Sequence, residues 1–435
     1  MSGSCHSQAR LPRSVRRGPV LLRGYVLLAV IAFAALGAGC AGTARLTAPG
    51  SDSGAVAPVG FPSSVRTVGE TRRRFETQAR PLLAALRAAA GKDPINVLAL
   101  SGGGAGAAFG AGALVGWSRR GTRPEFNMVT GVSAGALIAP FAFLGPSWDG
   151  QLEDAFDGRL TRDLLKFRWA GAFVDSSVYR GDPLAELVDH FVTDAMLQAV
   201  AREAAKGRVL LVATTDLDRA QTVVWNLGAI ALRGGPAARA LFRNVVLASA
   251  SIPGLFPPVL IRVTGAHGEY DEMHVDGGTT GALFIAPEIA AIVPHALDDL
   301  TGANVYVLVN GRFGALAETT PRRTIPILRR SVAAGLEGEA RRAVEYASSL
   351  AERYQMKVRV TDIPDDFPFT GPLDVQPSSM KALFDFGRSC AMARQLWASP
   401  VDLLDRAERA QIRTGSHTTL CPGAEGQGTV SASSR

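Results

Sequence analysis

The chain has 435 residues, 47% of them hydrophobic and 20% charged, enough for a large buried core and too apolar for a disordered protein. Its net charge of +7 does not mark a nucleic-acid face. Arg10, Arg13, Arg16, Arg17 and Arg23 lie in residues 1–40 with no acidic residue beside them, and removing those five leaves +2. No basic stripe with interleaved aromatics follows, so nucleic acid is not an expected partner.

Residues 1–40 read as an export signal. Arginines precede an apolar run from Tyr25 to Leu36, and Gly37, Ala38 and Gly39 lead to Cys40. The run is shorter than the roughly 20 apolar residues of an ordinary membrane-spanning helix. Leucine, small residues and cysteine in this order resemble the bacterial lipoprotein processing signal, in which the cysteine becomes an acylated N-terminus. Leu36 stands one place further from Cys40 than is usual, with Gly37 in the expected slot. An ordinary signal peptide or an uncleaved anchor is the alternative. Arg16-Arg17 hints at twin-arginine export, but Gly18-Pro19 follows where that signal favours an apolar residue. The expectation is a lipoprotein anchored through Cys40 to a membrane of the bacterial cell envelope, facing the periplasm.

Residues 41–65, rich in Ala, Gly, Ser, Thr and Pro, read as a tether, and Glu70–Ala90 as one helix, so 41–93 precede the main domain. Ile95–Leu100 is a short apolar run of the kind that forms a buried strand. A glycine-rich turn follows, then a small-residue helix over Ala107–Arg119. The next strand, Phe126–Thr130, runs into Gly131–Gly135 and an apolar helix reaching Leu144. Strand, turn, helix, strand, sharp turn and helix are the grammar of an α/β fold with a mainly parallel sheet flanked by helices.

Residues 146–206 read as a largely helical insertion. Its Trp148, Phe167, Trp169 and Phe173 suit either a lipid chain or ordinary core and lid packing. Arg208–Thr214 and Gln221–Trp225 read as strands around a turn in which Asp216 and Asp218 are solvated. Another strand ends at His274-Val275-Asp276, and Asn304–Asn310 is one more. Helices follow at Arg323–Ala351 and Ser378–Ala398, with Asp385-Phe-Gly387 as helix packing. The main domain therefore covers 94–400, and 401–435 form a partly disordered tail. Cys5 is lost with the signal. Cys390 is expected as a buried thiol and Cys421 as part of the loose tail, although an oxidising compartment would permit a bridge between them. No Cys/His spacing suggests zinc.

The chemistry concentrates in three places. Gly131-Val-Ser133-Ala-Gly135 sits between a strand and a helix, where glycines permit a tight turn that lifts a serine hydroxyl above the sheet. The helix N-terminus behind it favours developing negative charge. Ser101-Gly102-Gly103-Gly104 follows the preceding strand, and consecutive glycines present N–H groups of the kind an oxyanion needs. The rival reading, a dinucleotide loop through Gly102, Gly104 and Ala107, lacks its acidic residue: Thr130-Gly131 stands there instead. The third place is Asp276-Gly277-Gly278. A serine hydrolase usually takes a histidine base, yet none of the six histidines stands in a convincing loop after a strand, with His274 the nearest to doing so. A carboxylate accepts a serine proton if desolvation raises its pKa, while an isolated Asp-Gly-Gly is by default a plain turn.

These motifs do not stand alone. The glycine run, Gly-Val-Ser-Ala-Gly, then Ala248-Ser-Ala-Ser251-Ile-Pro253-Gly-Leu-Phe256-Pro257-Pro258, then Asp276-Gly-Gly resemble the patatin-like phospholipases in that order, over about residues 94–280. The resemblance implies a three-layer patatin-like fold and a lipid acyl hydrolase of the phospholipase A or lysophospholipase kind, acting without metal or other cofactor on membrane lipid. It carries Ser133 over as nucleophile, Asp276 as base, and Gly102, Gly103 and Gly104 as oxyanion loop. One departure is visible: the family commonly has Arg or Lys and then Gly after the glycine run, where this chain has Gly106 and Ala107. The alternatives are an α/β-hydrolase esterase with a Ser-His-Asp triad using His295 or His417, and a catalytically silent envelope protein that keeps the fold for binding.

Overall fold

The computed structural model describes residues 45–47, 49, 56–68, 72–160, 182–281, 296–314, 319–410 and 419–424. Cys5, His6, the export segment with Cys40, the aromatics Phe167, Trp169 and Phe173, and His295 and His417 lie outside the described residues.

In chain order the elements are β1 Ala57–Pro58, β2 Arg66–Val68, α1 Arg72–Ala90, β3 Asn96–Leu100, α2 Ala107–Arg119, β4 Met128–Val132, α3 Ala134–Leu144 and α4 Asp149–Phe156. Then come α5 Asp182–Phe191, α6 Asp194–Ala205, β5 Val209–Asp216, β6 Gln221–Asn226, α7 Leu227–Arg233 and α8 Gly235–Ser249. The rest are β7 Val259–Gly265, β8 Gly268–Asp276, β9 Asn304–Leu308, α9 Thr324–Arg353, β10 Lys357–Thr361, α10 Pro377–Met392 and α11 Pro400–Ala410.

The layers follow from the period of two along a strand. Leu98 and Leu100 of β3 join the core shared with α2, α3 and α10, whereas Val97 and Ala99 join the core shared with α1, α9 and α11. Helices therefore cover both faces of the sheet, as the hydrophobic runs on its central strands require. Cutting a fully buried side chain such as Leu98 to Ala would cost about 2–5 kcal/mol. On one face α2 and α10 meet backbone to backbone. A Cβ at Gly112 would lie 1.9 Å from the Phe384 carbonyl oxygen, and one at Gly387 would lie 2.2 Å from that of Phe109. The small residues of the sequence are what let these two helices come so close.

The parallel part of the sheet is its centre, β10-β9-β3-β4-β5. The flanking strands β8, β7, β1, β6 and β2 pair antiparallel, so the sheet is mixed. Residues 211–216 of β5 pair with β6 along one edge. The other edge is shared: β4 occupies residues 209–213 and β8 occupies 214–216. Because β8 runs opposite to β4, the carboxyl ends of these two strands converge on the Ala213–Thr214 step.

Several local expectations shift. The fourth strand starts at Met128, not Phe126, because Asn127 ties the entry: its N–H donates to Asn96 O, and its Oδ1 accepts the Asn96 N–H at 2.8 Å. Part of the stretch read as a tether belongs to the sheet, with β1 on β7, and β2, just beyond it, pairs with β6. Asp216 is buried, not solvated, and pairs with Arg219 at 3.2 Å. Cys390 is no free thiol: it is bonded to Cys421, 31 residues on, and α11 fills the start of the region read as tail. Asp385 and Gly387 lie within α10, in the helix packing already described. Among the described residues, no helix is long and apolar enough to cross a membrane.

Candidate active site

Ser133 follows the last residue of β4 and caps α3, with φ 55° and ψ −127°. A non-glycine residue in that region carries about 1–3 kcal/mol of strain, which the surroundings must hold. They do so by contact. A Cβ at Gly131 would lie 2.6 Å from Gly135 O, and one at Gly135 would lie 2.4 Å from Leu100 O. The two glycines are there because backbone passes too close for any side chain. The Ser133 N–H donates to Ser249 Oγ at 3.0 Å, and Ser249 Oγ donates to Ala213 O at 2.7 Å.

Asp276 ends β8, and its carboxylate reaches the serine: Ser133 Oγ donates to Asp276 Oδ2 at 2.6 Å. The other carboxylate oxygen accepts the Gly278 N–H at 2.7 Å. The Asp276 backbone is tied too, through its N–H to Ser251 O at 2.8 Å and its carbonyl to the Thr215 hydroxyl at 3.0 Å. Burial pushes the Asp276 carboxyl up to about 7, against the opposing pull of the Ser133 and Gly278 hydrogen bonds. A group titrating there alternates between accepting and returning a proton near neutral pH.

The glycine loop lies against the serine. A Cβ at Gly102 would stand 3.7 Å from Ser133 Oγ. Gly103 (φ 155°) and Gly104 (φ 54°) turn the loop, and neither has room for a side chain: Asn310 O would lie 1.8 Å from a Cβ on the first, and Pro372 O 2.0 Å from one on the second. Among the described residues the Gly102 and Gly103 N–H groups have no protein acceptor. Ser101 anchors the loop, since its carbonyl accepts Asn310 Nδ2 at 2.7 Å and its hydroxyl accepts the Asn310 N–H at 2.8 Å. An aliphatic cavity of about 80 Å³ opens at Ser133, lined by Leu137, Phe156, Leu187, Ile252 and Leu373. Trp148 is half-buried and packs against the core beside α4.

His274 is two residues from Asp276 on the same strand but is bonded to other partners. It is fully buried, with Nε2 at 3.2 Å from Glu272 and Nδ1 at 2.9 Å from the Thr214 hydroxyl, which also accepts Trp225 Nε1 at 2.8 Å. Glu272 in turn forms a buried ion pair with Arg66 of β2. Burial works against that carboxylate, yet the hydrogen bonds from His274 and Arg66 hold it down to about 2. Asp216 shifts the other way, raised by burial and by the neighbouring Glu272 charge. Among the described residues no group of His, Cys, Asp and Glu could hold a metal ion.

The structure thus brings Ser133, Asp276 and Gly102–Gly104 together, while His274 is held by Thr214 and Glu272. Sequence reasoning missed Ser249, Ser251 and Asn310 as positioning residues. Ser249 and Ser251 sit inside the proline-rich block, whose order along the chain was the available signal. Asn310 ends its strand run and carried none.

Residues 98–288 match the family described as patatin-like phospholipase. Among solved structures, the crystal structure of VipD from Legionella pneumophila is similar at 14% identity, over 69% of this chain and 67% of that one, with a TM-score of 0.34. A search of curated proteins gives no match.

Proposed function

This chain carries a patatin-like phospholipase domain over residues 98–288, and on that premise we propose that it hydrolyses acyl esters of lipids through Ser133 and Asp276. The observation that carries the proposal is the 2.6 Å hydrogen bond from Ser133 Oγ to Asp276 Oδ2, at a strained turn between strand and helix. Asp276 takes the Ser133 proton as Oγ attacks the ester carbonyl. The N–H groups of Gly102, Gly103 and Gly104 face the developing oxyanion. Asp276 then returns the proton to the leaving alcohol. In the second half it removes a proton from water, which attacks the acyl-serine, and it returns that proton to Ser133 Oγ as the acyl–oxygen bond breaks and the acid leaves. A carboxyl raised to about 7 is suited to both transfers. The aliphatic cavity at Ser133 supports an acyl chain as the part retained on the enzyme.

The test is a panel of phospholipids, lysophospholipids and short acyl esters offered to the purified protein and to Ser133→Ala. Cleavage by the wild type alone, with fluorophosphonate labelling of Ser133, is the expected result. A protein that takes no label and cleaves nothing is a binding protein on the same fold. A protein whose Ser133→Ala variant stays within about tenfold of wild type uses another nucleophile.

Membrane anchoring through Cys40 belongs to the same proposal. Its support is the arginine-led apolar run before Cys40 and the Cys390–Cys421 bridge, which fits an oxidising compartment such as the periplasm. The mass of the mature protein tests it. Residues 1–39 removed and an acyl addition on Cys40 are expected, and Cys40→Ser abolishes both. An intact, unmodified N-terminus refutes the anchor.

A further inference from the structure

Two separate cavities border the glycine loop, one at Gly102 and Gly103 and the other at Gly104 and Ala105. The aliphatic one holds Ser133 in its wall, and Leu137, Ala155, Phe156 and Leu187 separate it from a further apolar cavity of about 30 Å³ that they also line. The other cavity is larger, about 480 Å³, and opens against Gly102 and Gly103. Pro372 borders both sides. Its carbonyl accepts the Ala105 N–H at 2.8 Å, so the glycine loop is sealed to it. Loop and Pro372 together form a partition, and the Ser133 hydroxyl stands at its edge.

The two sides differ in chemistry. The described wall of the smaller cavity offers a ligand aliphatic and aromatic carbon beside the serine. The wall of the larger one includes Arg312, Arg330 and Glu337. Arg312 is fixed in place: its Nη2 donates to Phe367 O at 2.6 Å, and its guanidinium lies over the Phe369 ring, 5.7 Å from the centroid. Arg330 and Glu337 stand seven residues apart on α9 and line the same cavity. Among the described residues the charges facing Glu337 are Arg330, Arg312, Asp365 and Arg341. Among the described residues of the lining, two guanidinium groups and one carboxyl leave a cationic excess. A phosphate gains charge-assisted hydrogen bonds there, and would be stripped of partners on the aliphatic side. Arg312 also lies two residues beyond Asn310, against which Gly103 packs, and lines the same cavity as Gly102 and Gly103, where Gly106 and Ala107 supply no cation.

Resting on the reading of Ser133 as an acyl-ester nucleophile, we propose that the substrate straddles this partition, with its acyl chain in the aliphatic cavity toward Phe156 and its alcohol part, carrying a phosphate, against Arg312 and Arg330. Chain length is then read by Phe156 and Leu187, which close the aliphatic cavity, and head group is read by the arginines. The two selectivities are separable because the partition lies between them.

The test measures both selectivities in the full-length protein, using monoacylglycerols of short, medium and long chain and lysophosphatidylglycerols of the same chains. Phe156→Ala joins the two apolar cavities and moves the kcat/KM optimum to longer chains in both series. Arg330→Gln lowers kcat/KM for the phosphate-bearing series about tenfold relative to the neutral series, mainly through KM, and Arg330→Lys restores part of it. The proposal is overturned if Arg330→Gln shifts the chain-length optimum, if it lowers both series equally, or if Phe156→Ala alters the head-group ratio. Binding of glycerol 3-phosphate to Ser133→Ala, followed by calorimetry, reads the arginine side without turnover. Binding that weakens about tenfold in the Ser133→Ala, Arg330→Gln double variant supports the phosphate side even if no ester is cleaved, when the catalytic reading alone fails. Active hydrolysis with no binding of glycerol 3-phosphate overturns the phosphate side while the catalytic reading stands.

Discussion

The hydroxyl of Ser249 accepts the backbone N–H of Ser133 at 3.0 Å and donates its own O–H to Ala213 O at 2.7 Å, so the strained serine turn is pinned to β5 through one side chain. Ser249→Ala leaves a buried donor and a buried acceptor unmatched, at a cost of about 1–3 kcal/mol. It also lets the nucleophile drift, and small misplacements cost about 10²-fold in rate. The expected outcome is kcat reduced by one to two orders of magnitude in a protein that still folds. Steady-state kinetics beside a thermal melt check it. Unchanged kcat would mean the turn holds itself.

Ser133→Ala and Asp276→Asn should each lower ester hydrolysis by about 10³-fold or more, and the double variant should be little worse than either, since the two groups act as one unit. Asparagine keeps the size of the base but cannot take the serine proton. If losses multiply in the double variant, the two side chains act independently and the dyad reading is wrong.

Asp276 acts as base only when ionised, so kcat/KM should rise with pH through about 7 and level off above it. Folding stability moves the other way. A carboxyl raised by burial contributes most below its unfolded value near 3.8, and that contribution is lost as pH rises through about 7. Asp276→Asn should therefore be stabilised relative to wild type more at pH 8.5 than at pH 5. Denaturant melts at the two pH values check this, and the opposite order would show that the carboxylate is not strained by its burial.

Arg66 and Glu272 form an ion pair with both side chains about 2% exposed, joining β2 to β8. Removing one partner strands the other charge, which costs about 3–5 kcal/mol. Arg66→Met should show that loss in urea unfolding at pH 7, and Arg66→Met with Glu272→Met should recover part of it. With Glu272 held down to about 2, the wild-type pair keeps its full contribution above the ordinary value near 4.5 and loses it as pH falls toward 2. An Arg66→Met loss that does not shrink between pH 5 and pH 2 would contradict that account.

How much of this could be read from sequence depends on range. β3, α2 and α3 declared themselves because each is a local pattern with its own turn: Asn96–Leu100, then glycines, then Ala107–Arg119. Ser133 was legible for the same reason. Asp276 needed the order of motifs along the chain, since its proximity to Ser133 arises from two strands meeting along β5. What escaped notice depends on partners far away. Asp216 looked like a solvated turn residue because its buried neighbours Glu272 and His274 come from β8. Cys421 looked like tail because nothing in residues 416–435 announces that a bridge ties it to α10.

The backbone contact between α2 and α10 has a consequence for anyone engineering this protein. Replacing glycine by alanine is a standard route to heat resistance, worth about 0.4–1 kcal/mol where the site tolerates a methyl, because it stiffens the unfolded chain. Here the tolerant sites are few and recognisable. Among the described residues, Gly150 in α4 and Gly335 in α9 have nothing within 4 Å of a new Cβ, so Gly150→Ala and Gly335→Ala should each raise the melting temperature. At Gly112 and Gly387 the same exchange drives a methyl into a carbonyl oxygen and must part the helices. The wealth of glycine in this chain is therefore not slack to be taken up. Along α2 and α10 it is the fit itself, and a consensus-style library that treats all glycines alike would dismantle the layer that backs the glycine loop.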